Sequence, residues 1–294
     1  MFVILKRIKK ELHILVDFDV ECLIICIIGN CLHYYISDTV RIVMFILFLL
    51  LGNEHHVLTK DLKPTDVVFD VFAGIGPFAV PACKLRATVF ANDLNPHSYQ
   101  GLVKNIKINK CKGTINCFNL DGREFIQSCV KEQFSKLYAV TENSDKFENV
   151  SRKDITGVYV FMNLPAIAST FLDAFCGLLS DVKGISDLIP LPLVQCHCFT
   201  NFQEAEDKYN GDNFKEIKHR VMNTVGDSLT ESEIEVRFVR NVAPQKDMMC
   251  ISFRITQKIM LGKADVSSSE DKRNNKTTNQ EVLCTDEGKI NIVN

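Results

Sequence analysis

From Asp66 onward, short apolar runs alternate with longer amphipathic segments, separated by polar or glycine-containing turns. A short apolar run bounded by turn residues reads as a buried strand, and a longer stretch with apolar positions three to four apart reads as a helix. On that basis strands are expected at Val67–Phe72, Thr88–Ala91, Ile115–Phe118, Val158–Met162 and Pro192–Phe199. Helices are expected at Pro77–Arg86, Pro96–Asn109, Arg123–Leu137, Ala166–Leu179 and within Glu204–Val225. Pro77 and Pro96 sit at helix starts, where a missing N–H does no harm, and Asn95 is placed to cap the second helix. Two last strands, Glu233–Val239 and Met248–Ile255, read as a closing antiparallel pair. Strand and helix in alternation predict an α/β fold, a doubly wound sheet with helices on both faces. Val140–Thr156 is polar and charged and reads as a surface insertion.

Composition changes sharply at both borders of this pattern. Lys6, Arg7, Lys9 and Lys10 precede two apolar stretches, Cys22–Ile28 and Ile42–Leu51, with Asp17, Asp19 and Glu21 ahead of the first. Neither reaches the roughly 20 apolar residues that span a bilayer, so no stable membrane partner is expected. The acidic residues argue against an ordinary mitochondrial transit peptide. Residues 1–50 are read as an unrelated apolar leader, 51–256 as the folded domain, and 257–294 as a disordered polar tail. The net charge of −2 excludes a chain that is basic throughout, so any nucleic-acid surface has to be local. The twelve cysteines include no Cys-x-x-Cys pair, and Cys196-His-Cys198 stands alone on an apolar run. They are read as reduced, buried thiols, and no metal site is expected because a second ligand pair is missing.

The candidate chemistry gathers at the ends of the apolar runs. Asp70-Val-Phe-Ala-Gly-Ile-Gly-Pro-Phe-Ala79 ends the first strand and turns through Gly74 and Gly76 into a helix. Glycines at such a turn admit a ligand close to the backbone, and the helix behind them presents free N–H groups. The same residues also satisfy the dinucleotide pattern G-x-G-x-x-A. Asn92-Asp93-Leu94, Leu120-Asp121-Gly122 and Phe161-Met-Asn-Leu-Pro165 end later runs. Polar groups at four strand ends facing one crevice are how an open α/β sheet holds a nucleotide-like ligand. Asp93 can accept ribose hydroxyls and Asp121 an exocyclic amine. Gly122 would leave clearance for a ring, and Leu94 would supply an apolar face. Asn163 offers one acceptor and two donors to the edge of a base, and Pro165 stiffens its turn. The plainer readings are helix caps for the two aspartates, core for Leu94, and a tight turn for the glycines.

Taken in order, Asp70-Val-Phe-Ala-Gly-Ile-Gly-Pro-Phe78, Phe90-Ala-Asn-Asp-Leu-Asn-Pro-His97, Phe118-Asn-Leu-Asp-Gly-Arg123, Met162-Asn-Leu-Pro-Ala166 and Val239-Arg-Asn-Val-Ala-Pro244 resemble class I S-adenosylmethionine-dependent methyltransferases. Within that class they are most similar to the eukaryotic and archaeal tRNA guanine-37 N1-methyltransferase family. The resemblance covers Leu51 to Ile255 and implies an N-terminally truncated member. It implies a Rossmann-like class I sheet with a final antiparallel pair, S-adenosylmethionine as cofactor, the tRNA anticodon loop as partner, and a monomer. Cofactor contacts would fall on His55, Asp70, Gly74, Gly76, Asp93, Leu94, Asp121, Gly122 and Asn163, and substrate contacts on Asn163, Pro165, Arg240 and Asn241. Glu54 matches the family's base for the guanine N1 proton and is, with Asn163, the catalytic candidate. The family carries an Arg four residues before this Glu, where this chain has Leu50. The resemblance also implies cytoplasm, nucleus and mitochondrial matrix as compartments. Three other functions compete. One is a truncated, non-catalytic product that binds cofactor; another is an aminocarboxypropyl transferase of wybutosine synthesis; the third is a dehydrogenase. Asn163-Leu-Pro favours methyl transfer over aminocarboxypropyl transfer.

Overall fold

The structure is a computed structural model and describes residues 54–139, 146–182, 184–187, 189–201, 212–226, 229–243, 246–262 and 290–292. The leader read at 1–50, the tail across 263–289, and Pro244 lie outside the described residues.

The first half alternates as expected: β1 (Val67–Asp70), α1 (Ala79–Lys84), β2 (Thr88–Asn92), α2 (Pro96–Ile108) and β3 (Ile115–Phe118). Asn95 caps α2, its Oδ1 accepting the His97 amide at 2.9 Å. Next come α3 (Gly122–Phe125), a π turn over Ile126–Val130 and α4 (Lys131–Tyr138), which together replace the single helix expected over Arg123–Leu137. After a small hairpin, β4 (Lys146–Phe147) and β5 (Val150–Ser151), the chain enters β6 (Val158–Met162) and later β7 (Leu193–Asn201). Helix α5 (Asp212–Val225), β8 (Glu235–Ala243) and β9 (Lys246–Arg254) follow.

The sheet order is β10-β3-β2-β1-β6-β7-β9-β8, where β10 is Ile290–Ile292. Strands β1, β2, β3, β6 and β7 are mutually parallel, β9 is antiparallel to β7, and β8 is antiparallel to β9. The order reverses between β1 and β6. In an open α/β sheet such a reversal is where ligands bind, outside the carboxyl ends of the two strands.

Both faces of the sheet are covered, because successive side chains on a strand point to opposite faces. Val67 and Phe69 of β1 join Phe90, Val158, Val160 and Met162 in one core, under α3, α4 and α5. Val68 joins Val89, Ala91, Ile115, Cys117 and Phe161 in the other, under α1 and α2. The Phe69 and Phe90 rings stack at 5.1 Å.

Three expectations need correction. The stretch expected as a helix at Ala166–Leu179 is a 3-10 helix over Ala168–Phe175. The Ile167 carbonyl there accepts both the Thr170 amide and the Thr170 hydroxyl, at 2.9 and 2.8 Å, which favours the tighter i to i+3 winding. The insertion is not wholly superficial. Phe147 is buried beside Phe90, and buried Arg152 donates to the carbonyls of Leu137 and Ala139. Order also continues past residue 256. Helix α6 (Gln257–Leu261) is capped by Thr256 and buries Ile259 and Met260, while β10 pairs antiparallel with β3. The polar composition of the tail concealed two apolar side chains that complete the core and a short strand that covers a sheet edge.

Candidate active site

The glycine turn lies at the carboxyl end of β1. Gly74 has φ +57° and Gly76 has φ +99°. A Cβ on Gly74 would meet nothing within 4 Å, so the backbone there borders open space. A Cβ on Gly76 would lie 2.7 Å from Leu102 and 2.8 Å from Val80, so this glycine lets the turn pack on α1 and α2.

Three asparagines brace the surrounding loops. Asn92 donates to the carbonyls of Val71 and Leu120 and accepts the Leu120 amide, joining the ends of β1, β2 and β3. Asn105 of α2 holds the Ile75 carbonyl at 2.8 Å. Asn119 holds the carbonyls of Asp93 and Leu94 at 2.7 and 3.0 Å. Asp93 accepts the Gly74 amide at 2.8 Å on one oxygen and the Asn95 amide at 2.9 Å on the other. A carboxylate has about four acceptor sites, so two remain for ligand hydroxyls. Leu94 is 64% exposed beside it, which rules out the core reading.

Asp70 is fully buried where β1 ends, flanked in register by Ala91 and Phe161. Burial, and after it the Asp93 charge, push its carboxyl up to about 8; the amides of Ala79 and Phe72 face it and oppose the rise, but neither closes a hydrogen bond. A raised folded pKa means that the folded protein keeps a proton the unfolded chain has lost. The stabilisation is full below the ordinary value of 3.8 and is lost as pH climbs towards 8. Asp70→Asn is therefore expected to flatten the thermal midpoint between pH 5 and pH 8. Parallel melting curves for variant and parent across that range would count against the buried acid.

On the third strand, Asp121 is exposed and caps α3 by accepting the Arg123 amide at 2.9 Å, in line with the plainer reading. At its neighbour Gly122 a Cβ would lie 2.7 Å from the Phe72 ring and 3.3 Å from Phe171, so the missing side chain makes room for the protein's own rings. Asn163 follows β6, and its Oδ1 is buried without a hydrogen-bond partner. The Pro165 carbonyl accepts the Phe199 amide at 3.1 Å, which anchors this turn to β7, and Leu164 stands 37% exposed. On the far hairpin, Asn241 donates to Asp247 at 2.7 Å and so shapes the turn, while the Arg240 Nε is buried and unpartnered. Lys104, Lys107, Lys110 and Lys112 are all exposed.

Glu54 and His55 open a helical turn over residues 54–59, and both are buried. The His55 ring meets Phe78 edge-on at 4.6 Å, and burial, followed by the His197 charge, lowers its pKa to about 4. Glu54 accepts from His197 Nε2 at 3.1 Å and from Arg237 Nη1 at 3.0 Å, while Arg237 Nη2 donates to the oxygen that His197 also uses. Burial favours the neutral acid, but His197 and Arg237 outweigh it and hold the Glu54 carboxyl at about 2. Sequence reasoning missed both partners. His197 carried a signal, as an ionisable side chain on an otherwise uncharged, largely apolar strand. Arg237 carried none.

Alternation also splits Cys196-His-Cys198, because the two cysteines join the core on one face while His197 turns to Phe78 and Glu54 on the other. Glu54, His197 and Cys250 do place ligand-type atoms within 4.8 Å of one another. The guanidinium of Arg237 engages both Glu54 oxygens and brings its own positive charge, so this geometry serves an ion pair.

A parallel sheet that reverses at β1 and β6 and ends in an antiparallel pair, with a glycine turn after β1 and an acid after β2, defines a class I methyltransferase fold. Residues 35–141 match the TRM5/TYW2 methyltransferase domain, a match that begins inside the segment read as leader. The chain is 42% identical over 211 residues to the human tRNA (guanine(37)-N(1))-methyltransferase, covering 71% of this chain and 37% of that one. It is 39% identical over 224 residues to the Xenopus tropicalis protein of the same name, covering 76% of this chain and 41% of the other. The chain is similar to the TRM5/TYW2 methyltransferases in this region, and it spans about 40% of the length of these curated relatives. Among solved structures, the tRNA m1G37 methyltransferase of M. jannaschii is 26% identical, with a TM-score of 0.45, over 71% of this chain and 50% of that chain.

Proposed function

We propose that this chain transfers a methyl group from S-adenosylmethionine to N1 of the guanine immediately 3′ to a tRNA anticodon. One observation carries the reading: the buried, unpartnered amide oxygen of Asn163 at the end of β6, in a chain 42% identical to a human enzyme of that name. The residues present suit the cofactor. Open space borders Gly74, Asp93 keeps acceptor sites for ribose hydroxyls, and Leu94 offers an exposed apolar face. When bound, S-adenosylmethionine supplies an electrophilic methyl group. The chain's own residues orient the acceptor and take its proton. Asn163 pairs with the guanine edge, Glu54 receives the N1 proton, and correct placement supplies much of the rate. Arg240 and the exposed lysines of α2 are candidates for phosphate contacts.

We propose further that the protein works as a monomer, with cytoplasm, nucleus and mitochondrial matrix as its compartments. No helix among the described residues is long and apolar enough to cross a membrane.

Calorimetry with S-adenosylmethionine and with NAD tests the cofactor. Asp93→Ala is expected to weaken S-adenosylmethionine by about 1–3 kcal/mol, the range for a lost charged hydrogen-bond partner. Tight NAD binding without a response to S-adenosylmethionine would overturn the reading. Nucleoside analysis of the treated tRNA separates N1-methylguanosine from an aminocarboxypropyl product.

A further inference from the structure

Three strands place three side chains in one row. His197 of β7 pairs with Cys250 of β9, and Cys250 pairs with Arg237 of β8. Cross-strand partners share a face, so His197, Cys250 and Arg237 line up on the face that turns towards Phe78, and Glu54 lies against the row. Glu54 Oε1 accepts from His197 and Arg237, and Oε2 accepts from Arg237 alone. Of about four acceptor sites on a carboxylate, three are taken, and the one left is on Oε2.

We propose that Arg237 and His197 are positioning residues for methyl transfer, holding Glu54 as the carboxylate and presenting its last acceptor site, on Oε2, to the guanine N1–H. This rests on the methyl-transfer reading above and adds to it the groups that aim the base. In the step concerned, the N1–H bond breaks and the proton goes to Glu54 Oε2. The electron pair on N1 takes up the methyl group, and the pair of the broken carbon–sulfur bond stays on sulfur. Glu54 ends as the neutral acid, and Arg237 remains charged throughout. The two-pronged guanidinium fixes the plane of the carboxylate, which a single ammonium cannot do. Fixed orientation of a base is worth rate, because small misplacements of reacting groups are costly.

Arg237→Gln and Arg237→Lys in the 294-residue chain test this. The Arg237 side chain is 42% exposed on the edge strand, so both variants should fold, and melting curves confirm it. Two quantities are read: single-turnover methyl transfer to a tRNA transcript against pH, and the titration of the Glu54 carboxyl by carbon NMR. Arg237→Gln is expected to slow transfer by about 10–100-fold, to leave S-adenosylmethionine affinity in place, and to move the Glu54 midpoint up from about 2 towards its ordinary 4.5. Arg237→Lys should restore most of the midpoint but little of the rate. A glutamine variant with the parent rate overturns the proposal, whatever its midpoint. If the parent chain itself transfers no methyl, the functional reading fails instead. The Glu54 midpoint in Arg237→Gln then decides the inference by itself, with an unmoved value overturning it.

Discussion

Glu54→Gln is expected to slow methyl transfer by about 10²–10⁴-fold, the usual worth of a positioned general base, with little loss of S-adenosylmethionine affinity. The amide has the shape of the carboxylate but cannot accept the guanine proton, and the cofactor does not depend on that proton. The measurement is tritiated methyl transfer to a tRNA transcript with guanine 3′ to the anticodon, alongside an adenine-substituted control. A variant as fast as the parent removes Glu54 from the chemistry, and equal labelling of both transcripts removes the guanine assignment. The same substitution carries a stability cost. The folded pKa of about 2 lies below the ordinary 4.5, so the ion pair stabilises the fold above pH 4.5 and is lost as pH falls through 2. Glu54→Gln should cost on the order of 1–3 kcal/mol at pH 7, less than for a fully buried pair because Arg237 is half in solvent. The gap between variant and parent should narrow in acid.

Gly76→Ala is expected to destabilise the domain by about 2–5 kcal/mol, combining left-handed backbone strain with overpacking. Its φ of +99° is one that L residues rarely adopt, and the new methyl would sit 2.7 Å from Leu102 and 2.8 Å from Val80. That corresponds to a thermal midpoint lower by roughly 5–15 °C. Gly74→Ala is the informative contrast. Its Cβ meets nothing within 4 Å, so the strain is confined to φ +57° and the methyl projects into the space assigned to the cofactor. This variant should stay folded and lose S-adenosylmethionine binding. Equal destabilisation by both alanines would refute the division of labour between the two glycines.

Much of the site was legible because its determinants are local. A glycine turn after an apolar run, an acid ending the next run and Asn163-Leu-Pro each occupy a few consecutive residues, and the alternation around them sets where strands end. The capping of α2 by Asn95 was legible for the same reason. The packing around Gly122 was not legible, because the rings beside it, Phe72 and Phe171, come from other segments. The ordered ends of the tail were missed because composition averages over residues, whereas Ile259 and Met260 are buried individually.

By itself, then, the sequence determined the alternation of strands and helices, the crevice-facing turns, the family likeness and the identity of Glu54 as a candidate base. Tertiary structure alone decided what surrounds Glu54. His197 and Arg237 lie 143 and 183 residues from it along the chain. They meet it because β9 runs antiparallel between β7 and β8 and brings both to the row of Cys250. The asparagine braces arise in the same way, joining loops 21 to 30 residues apart. Strand register and sheet order are set by the packing of the whole domain, and no local window of sequence contains them.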